Sequence, residues 1–246
     1  MDISSHIQMP RCVLKRFEDS NHRLFYFDVQ KGFIGTNGHA KTINTQVGYY
    51  SQSTEEFLKN NIEDPLSQLL LKLDKIDFNS DISILPTLDV SILYHYIYSL
   101  ISRSPSLLNM FDSNSLNSLN DSKQFQHDFI ATKGFIHAKE KHLLRDFNIN
   151  YMINKSPKSF ILPTLGMYSF IMKRKLTLIA PLSPQLAVAF IRDRRNPNTR
   201  NIYDITDEKI IYSFNSYAFK YQCNEKNGYI VSPNKEALNE QINNKE

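Results

Sequence analysis

Three polar side chains stand out by type and place: His6 in the opening stretch His6-Ile-Gln-Met-Pro-Arg-Cys-Val-Leu-Lys-Arg-Phe17, Glu63 just ahead of a leucine-rich helix, and Arg103 in an Arg-Ser-Pro sequence that ends another helix. Imidazole and carboxyl groups can exchange protons near neutral pH, and a guanidinium can grip two oxygens of one phosphate or carboxylate. If the three meet, His6 is the acid/base, Glu63 its partner and Arg103 the phosphate clamp. The competing expectation is structural: Glu63 and Arg103 form an ion pair between two helices while His6 caps the N-terminal turn. Sequence separation alone does not choose between them.

Other side chains offer weaker chemistry. His127, His137 and His142 crowd one segment, but His137 and His142 are five apart and so about 140° apart around a helix, and no HExxH occurs. No metal and no other cofactor is expected. Lys173, Arg174 and Lys175, and Arg192, Arg194, Arg195 and Arg200, are the densest basic segments, and contact with phosphates would release counterions. Charge in strand-connecting loops also serves solubility and edge protection. The motifs GxxxxGK[ST], GxGxxG after a strand, and GxSxG are all absent, which argues against P-loop, dinucleotide and hydrolase-elbow chemistry.

These residues must be positioned by a fold of ordinary composition. The chain has 246 residues, 41% hydrophobic and 22% charged, with a net charge of +4 that permits a polyanionic partner without requiring one. One domain spanning 1–246 is expected. Cys12 and Cys223 lie at opposite ends with no ligand spacing and read as reduced, buried small hydrophobes. With no long apolar run and no signal-peptide core, the expected location is the cytoplasm, with no membrane partner.

Along the chain, Pro10 opens a short helix over 11–17, and 22–29 pairs with a strand around 33–34 as a hairpin. Ser53 or Thr54 caps a helix with Glu55 and Glu56 in its first turn, bent near Pro65. A further helix runs from Thr87 to Ser102, and a long surface helix from Lys123 to Arg145 weakens at Gly134. The Ser/Asn-rich stretch 112–122 reads as a mobile loop. Strands at 148–154, 159–162, 176–181 and 186–191 belong to one mostly antiparallel sheet, followed by a helix capped by Thr206, a last strand at 229–231 and a tail fraying from 234. The fold class is α+β: an N-terminal β-hairpin and helices, then a mainly antiparallel sheet with a C-terminal helix.

The order of these pieces resembles the bacterial family called domain of unknown function 4238. The carriers are His6, Pro10, Leu14, Arg16 and Phe17; Glu63; Arg103 with Pro105; Phe160 and Ile161; Pro181-Leu182-Ser183-Pro184; and Asn215 and Ala218 in the last long helix. The resemblance spans nearly the whole chain. It implies an architecture and candidate positions, and no activity. Relatives carry an Asp a few residues after the Phe-Ile pair, where this chain reads Leu162-Pro163-Thr164. The expected function is a nucleic-acid-directed enzyme, a nuclease or toxin-like defence effector, with a non-catalytic binding or regulatory protein as the alternative.

Overall fold

The computed structural model describes residues 4–76, 90–104, 123–197 and 199–243. The stretch 112–122 and the start of the helix expected from Thr87 lie outside them. In chain order the first strand is β1 (Ser4–His6), followed by helix α1 (Arg11–Leu14) with a 3₁₀ continuation over Lys15–Phe17. The hairpin is β2 (Leu24–Asp28) and β3 (Phe33–Gly38), and β4 (Thr45–Val47) returns to pair antiparallel with β1. Helices α2 (Gln52–Leu58), α3 (Asp64–Leu73), α4 (Ser91–Ser102), α5 (Lys123–Phe129) and α6 (Phe135–Glu140) come next. The remaining elements are β5 (Phe147–Asn154), β6 (Leu162–Pro163), β7 (Tyr168–Met172), β8 (Lys175–Ser183), β9 (Leu186–Arg192), β10 (Arg200–Ile205), α7 (Glu208–Asn224), β11 (Tyr229–Ser232) and α8 (Lys235–Asn243). The class is α+β, with mostly antiparallel sheets.

In the five-stranded sheet β10-β5-β9-β8-β7, the three central strands are buried on both faces. Successive side chains of a strand point to opposite faces. Along β9, Leu186, Val188 and Phe190 join the core shared with the N-terminal helices, while Ala187 and Ala189 join the core around α7. Along β5, Ile149, Tyr151 and Ile153 face the first core and Met152 the second. Two-sided burial explains why these strands read as nearly continuous apolar runs. Only β10 runs parallel to its neighbour, pairing with β5 from Arg200↔Ile149 to Ile205↔Asn154.

The second sheet, β3-β2-β11-β6, takes the opposite side of α7, and Phe27 and Ile230 complete that core with Phe219. Four sequence expectations change here. The pair Phe160-Ile161 is not a strand of the main sheet: Asn215 on α7 accepts the Ile161 N–H at 3.0 Å and donates to the Ser159 carbonyl at 2.9 Å, supplying the bonds a neighbouring strand would have made. Only Leu162–Pro163 is extended, and it pairs with β11 instead. The tail from 234 does not fray at once, because Ala237, Leu238 and Gln241 of α8 bury against the second sheet. The first helix cap falls two residues before the earlier of its two expected positions and the second one residue after: the Ser51 hydroxyl accepts the Thr54 N–H, and Asp207 accepts that of Lys209.

Several residues carrying the family resemblance hold this frame together. Arg16 donates to the Leu182 carbonyl at 2.9 Å and to Asp74 at 2.6 Å, tying the N-terminal turn to β8 and α3. Ser183 accepts the Leu186 N–H at 3.0 Å across the β8–β9 turn. Thr164, fully buried, accepts the Tyr229 N–H at 2.9 Å.

Candidate functional site

The C-terminal end of α4 is where the candidate chemistry gathers. Arg103 follows its last turn, and both its backbone N–H (3.2 Å) and its Nε (3.3 Å) go to the Ser99 carbonyl. The partial negative charge of a helix C-terminus favours a cation there. The guanidinium is nevertheless enclosed by the protein: Arg103 is only 3% exposed, and neither Nη1 nor Nη2 has a hydrogen-bond partner among the described residues. A buried, unpartnered charged group costs several kcal/mol, so this arrangement calls for an explanation.

Two π-turns pack against the same helix. Lys59–Glu63 widens the junction between α2 and α3 and ends on Glu63; Ile130–Gly134 joins α5 to α6. Each has a local chemical cause. Pro65 brings no N–H to the helical ladder, and the Asn61 side chain donates to the Phe57 carbonyl at 2.9 Å. In the second turn the Thr132 hydroxyl donates to the Asp128 carbonyl at 2.8 Å, and Gly134 passes so close to Ser102 that a Cβ would meet the serine's at 3.2 Å. Isolated π-turns concentrate at functional sites.

The electrostatics place His6, Glu63 and Arg103 in one neighbourhood. Burial, with the charges of Arg11 and Arg103, holds the His6 imidazole down at about 4, with the Ile43 carbonyl offsetting slightly. His6 is therefore neutral at pH 7, and its Nδ1 has no partner. Burial pushes the Glu63 carboxyl up despite the pull of Arg103, with Glu55 and Asp64 adding to the rise. The field of Arg103 also reaches Tyr49, Tyr50 and Tyr96. The Tyr50 hydroxyl donates to the Ile7 carbonyl at 2.8 Å and lies beside the guanidinium without completing a bond to it. Burial and Glu63 together raise the Cys12 thiol to about 12, which makes it an unreactive neighbour.

The expected Glu63–Arg103 ion pair is not among the salt bridges of the described residues, nor does His6 make a capping bond there. Orphan polar atoms accumulate instead on Ser5, His6, Asn44, Glu55, Ser99 and Arg103. Glu55, Tyr49, Tyr50 and Asn44 were not singled out from the sequence, and only the left-handed backbone at Asn44 (φ +57°) and the paired tyrosines hint at them. Tyr49 is also a wall of an adjoining polar cleft.

The basic residues gather elsewhere. The β7–β8 turn and the β9–β10 loop line one cleft of about 740 Å³ with Arg174, Lys175, Arg192, Arg194 and Arg195. Asp193 pairs with Lys175, and Asp146 lies 3.8 Å from Arg192 and 3.6 Å from Arg194. Lys173, Arg174 and Arg195 have no ion-pair partner among the described residues. Lys173 and Arg174 form the two-residue turn itself at φ +48° and +66°, a conformation that glycine and asparagine adopt more readily. Phe190 of β9, two residues before Arg192, packs on Tyr94 near the start of α4 with centroids 5.7 Å apart, whereas Arg103 sits at its end, about 14 Å further along at 1.5 Å per residue. The basic cleft and the Arg103 site therefore lie toward opposite ends of α4.

Of the three histidines considered for metal, His127 stacks on Tyr49 with centroids 3.8 Å apart, and His137 and His142 are exposed. No group of three or more His, Cys, Asp or Glu comes together as a cation site among the described residues. No helix among the described residues is long and apolar enough to cross a membrane.

A family model described as protein of unknown function (DUF4238) matches residues 8–236. The chain belongs to that family. No curated protein and no solved structure matches it. Within this DUF4238 chain, Arg16, Ser183 and Asn215 bond the frame, and Glu63 lies within the electrostatic reach of the buried Arg103. Shortly after the Phe-Ile pair, Thr164 joins β6 and β11.

Proposed function

We propose that this DUF4238 protein is a nucleic-acid-directed enzyme, of nuclease or toxin-like type, acting on a phosphodiester bond with His6, Glu63 and Arg103. The observation that carries the reading is the buried Arg103 guanidinium with both terminal nitrogens unpartnered beside a neutral histidine and a carboxyl of raised pKa. Arg103 binds non-bridging phosphate oxygens and offsets the charge that builds up on them in the transition state. Neutral His6 takes the proton of the attacking hydroxyl, and the Glu63 carboxyl, whose burial favours its protonated form, is the group that gives one to the leaving oxygen. The basic cleft at the far end of α4 holds backbone phosphates of a longer chain, through Lys173, Arg174, Lys175, Arg192, Arg194, Arg195 and Arg200.

The test is cleavage of labelled RNA and DNA oligonucleotides by the wild-type protein, His6→Ala, Glu63→Gln and Arg103→Met. The reading expects wild-type cleavage lost in all three variants while each stays folded. A second reading, a non-catalytic binding or regulatory protein, is favoured by the near-complete burial of Arg103. It expects no cleavage by any form, with phosphate-dependent stabilisation present in the wild type and lost in Arg103→Met.

A further inference from the structure

Beside the Arg103 site, between the β1–β4 ribbon and the turn ends of β2 and β11, lies a cleft of about 470 Å³, within the usual range for small-ligand pockets. Its lining is unusual in carrying five carboxamides: Gln8, Gln30, Asn44, Gln46 and Asn227. Two of them are nearly buried, Gln8 at 8% and Asn44 at 9% exposure. The Asn44 carbonyl accepts the Ile7 N–H at 3.1 Å, which fixes its backbone, while its side-chain Nδ2 has no partner. Asp28 supplies the opposite polarity. Its Oδ1 accepts the N–H groups of Gln30 (3.1 Å) and Lys31 (2.9 Å), and its Oδ2 has only the Lys31 ammonium, 3.9 Å away. Tyr49 and Tyr229 add aromatic walls.

We propose that this cleft is the base-recognition half of the ligand site and takes an amino-bearing nucleobase, adenine first, with the attached phosphate directed toward Arg103. An amide donor and a carboxylate acceptor in one lining match a base edge that presents a ring acceptor next to an amino group, the pattern that Asn and Gln read on adenine and that carboxylates read on exocyclic amines. An anion alone does not fit, because Asp28 and Lys31 offset one another in the lining. A purely apolar ligand would strand the amides unpaired. Ile7 lines the cleft, and its carbonyl accepts from the Tyr50 hydroxyl that lies beside Arg103, so the two halves are neighbours. The inference rests on the phosphate-directed reading above and extends it.

The experiment is isothermal titration calorimetry with adenosine, adenosine monophosphate and ribose 5-phosphate. The probes are run on the wild type, on Arg103→Met and on Asn44→Gly, which removes the amide without straining a left-handed backbone. Gln46→Ala, at an exposed position, is the second cleft variant and leaves folding undisturbed. Expected is binding of adenosine and tighter binding of its monophosphate, both weakened about tenfold or more by Asn44→Gly and in the same direction by Gln46→Ala, with ribose 5-phosphate unaffected. Ribose 5-phosphate binding as tightly as the monophosphate, with no effect of either cleft variant, overturns the inference and leaves the phosphate reading standing. Adenosine binding that depends on Asn44, with a monophosphate affinity indifferent to Arg103→Met, supports the base cleft and overturns the phosphate reading.

Discussion

Arg103 lies near enough to Glu63 to lower the pKa of its carboxyl, yet the two form no ion pair among the described residues, and burial of the carboxyl outweighs the guanidinium's pull. A structural salt bridge would show the reverse: a depressed carboxyl pKa and satisfied guanidinium nitrogens. Among the described residues the terminal guanidinium nitrogens are left without partners instead, and a bidentate anion is what a guanidinium of this kind takes.

A buried cation without a partner destabilises the protein that carries it. Arg103→Met keeps much of the side-chain volume and removes the charge, so the variant should be more stable than the wild type by about 1–4 kcal/mol in phosphate-free buffer. Thermal unfolding with and without phosphate checks this. The wild type gains stability with phosphate, by about 2.7 kcal/mol at a hundredfold excess over Kd, and Arg103→Met gains none. A variant less stable than the wild type would mean that the guanidinium is already satisfied in the free protein.

His6 sets a pH dependence of known sign. Its folded pKa of about 4 lies below the ordinary histidine value of 6.5, so between those two values the unfolded chain binds more protons than the folded one. Stability from this group is full above pH 6.5 and falls as pH drops toward 4, by up to about 3 kcal/mol with less if solvent reaches the ring. Denaturant melts at several pH values should show that slope in the wild type and its loss in His6→Gln.

Glu63 behaves in the opposite sense. Its raised pKa means the folded protein favours the protonated form, so its contribution is favourable in acid and is lost as pH rises through the folded value. Glu63→Gln imitates the protonated state permanently and should be more stable than the wild type at pH 7 while losing about 10²–10⁴ in cleavage rate. Paired melts and single-turnover kinetics on one preparation separate the two effects.

The sheet and hairpin were legible because their cause is local. The short apolar runs of β5 and β9 and the turn residues after Asp28 depend on neighbours a few positions away. The strand β7 was missed because Lys173-Arg174 lacks the Asn-Gly signature of a two-residue turn, and Phe160-Ile161 misled because Asn215, distant in sequence, supplies the hydrogen bond that a strand would need. His6, Glu63 and Arg103 could be named from their chemistry. Their electrostatic proximity could not, because it depends on the π-turn that ends on Glu63 and on the burial of Arg103 at the end of α4. Tyr49, Tyr50 and Asn44 carry no pattern until the β1–β4 ribbon brings them alongside.

The basic cleft should affect long substrates only. Lys173, Arg174 and Arg195 lack ion-pair partners among the described residues, so their charge is available to phosphates, whereas that of Arg192 and Arg194 is partly offset by Asp146. Replacing Arg174 and Arg195 together by Glu should reduce the slope of log K against log salt for a single-stranded oligonucleotide by at least about 1.4, at 0.7 per neutralised phosphate. Cleavage of a dinucleotide should be unchanged, since Arg103 sits at the other end of α4. Electrophoretic mobility shifts over a salt series, beside dinucleotide kinetics, test both halves.

The π-turn before Glu63 gives a way to move one candidate group without changing any of them. A π-turn holds one more residue than the α-helical turn it replaces, and Asn60 within it is exposed. Deleting Asn60 lets α2 and α3 run on as regular helix and rotates Glu63 by about 100° relative to α2, at 3.6 residues per turn. The Leu66, Leu69, Leu70 and Leu73 stripe on α3 fixes that helix against the core, so the rotation is resisted and part of the strain appears as lost stability. Expected is a folded protein with an unchanged far-ultraviolet circular dichroism spectrum, a lower unfolding midpoint, and cleavage reduced to the level of Glu63→Gln. Full activity in the deletion variant would show that Glu63 needs no particular orientation toward Arg103, and the acid role assigned to it would fall.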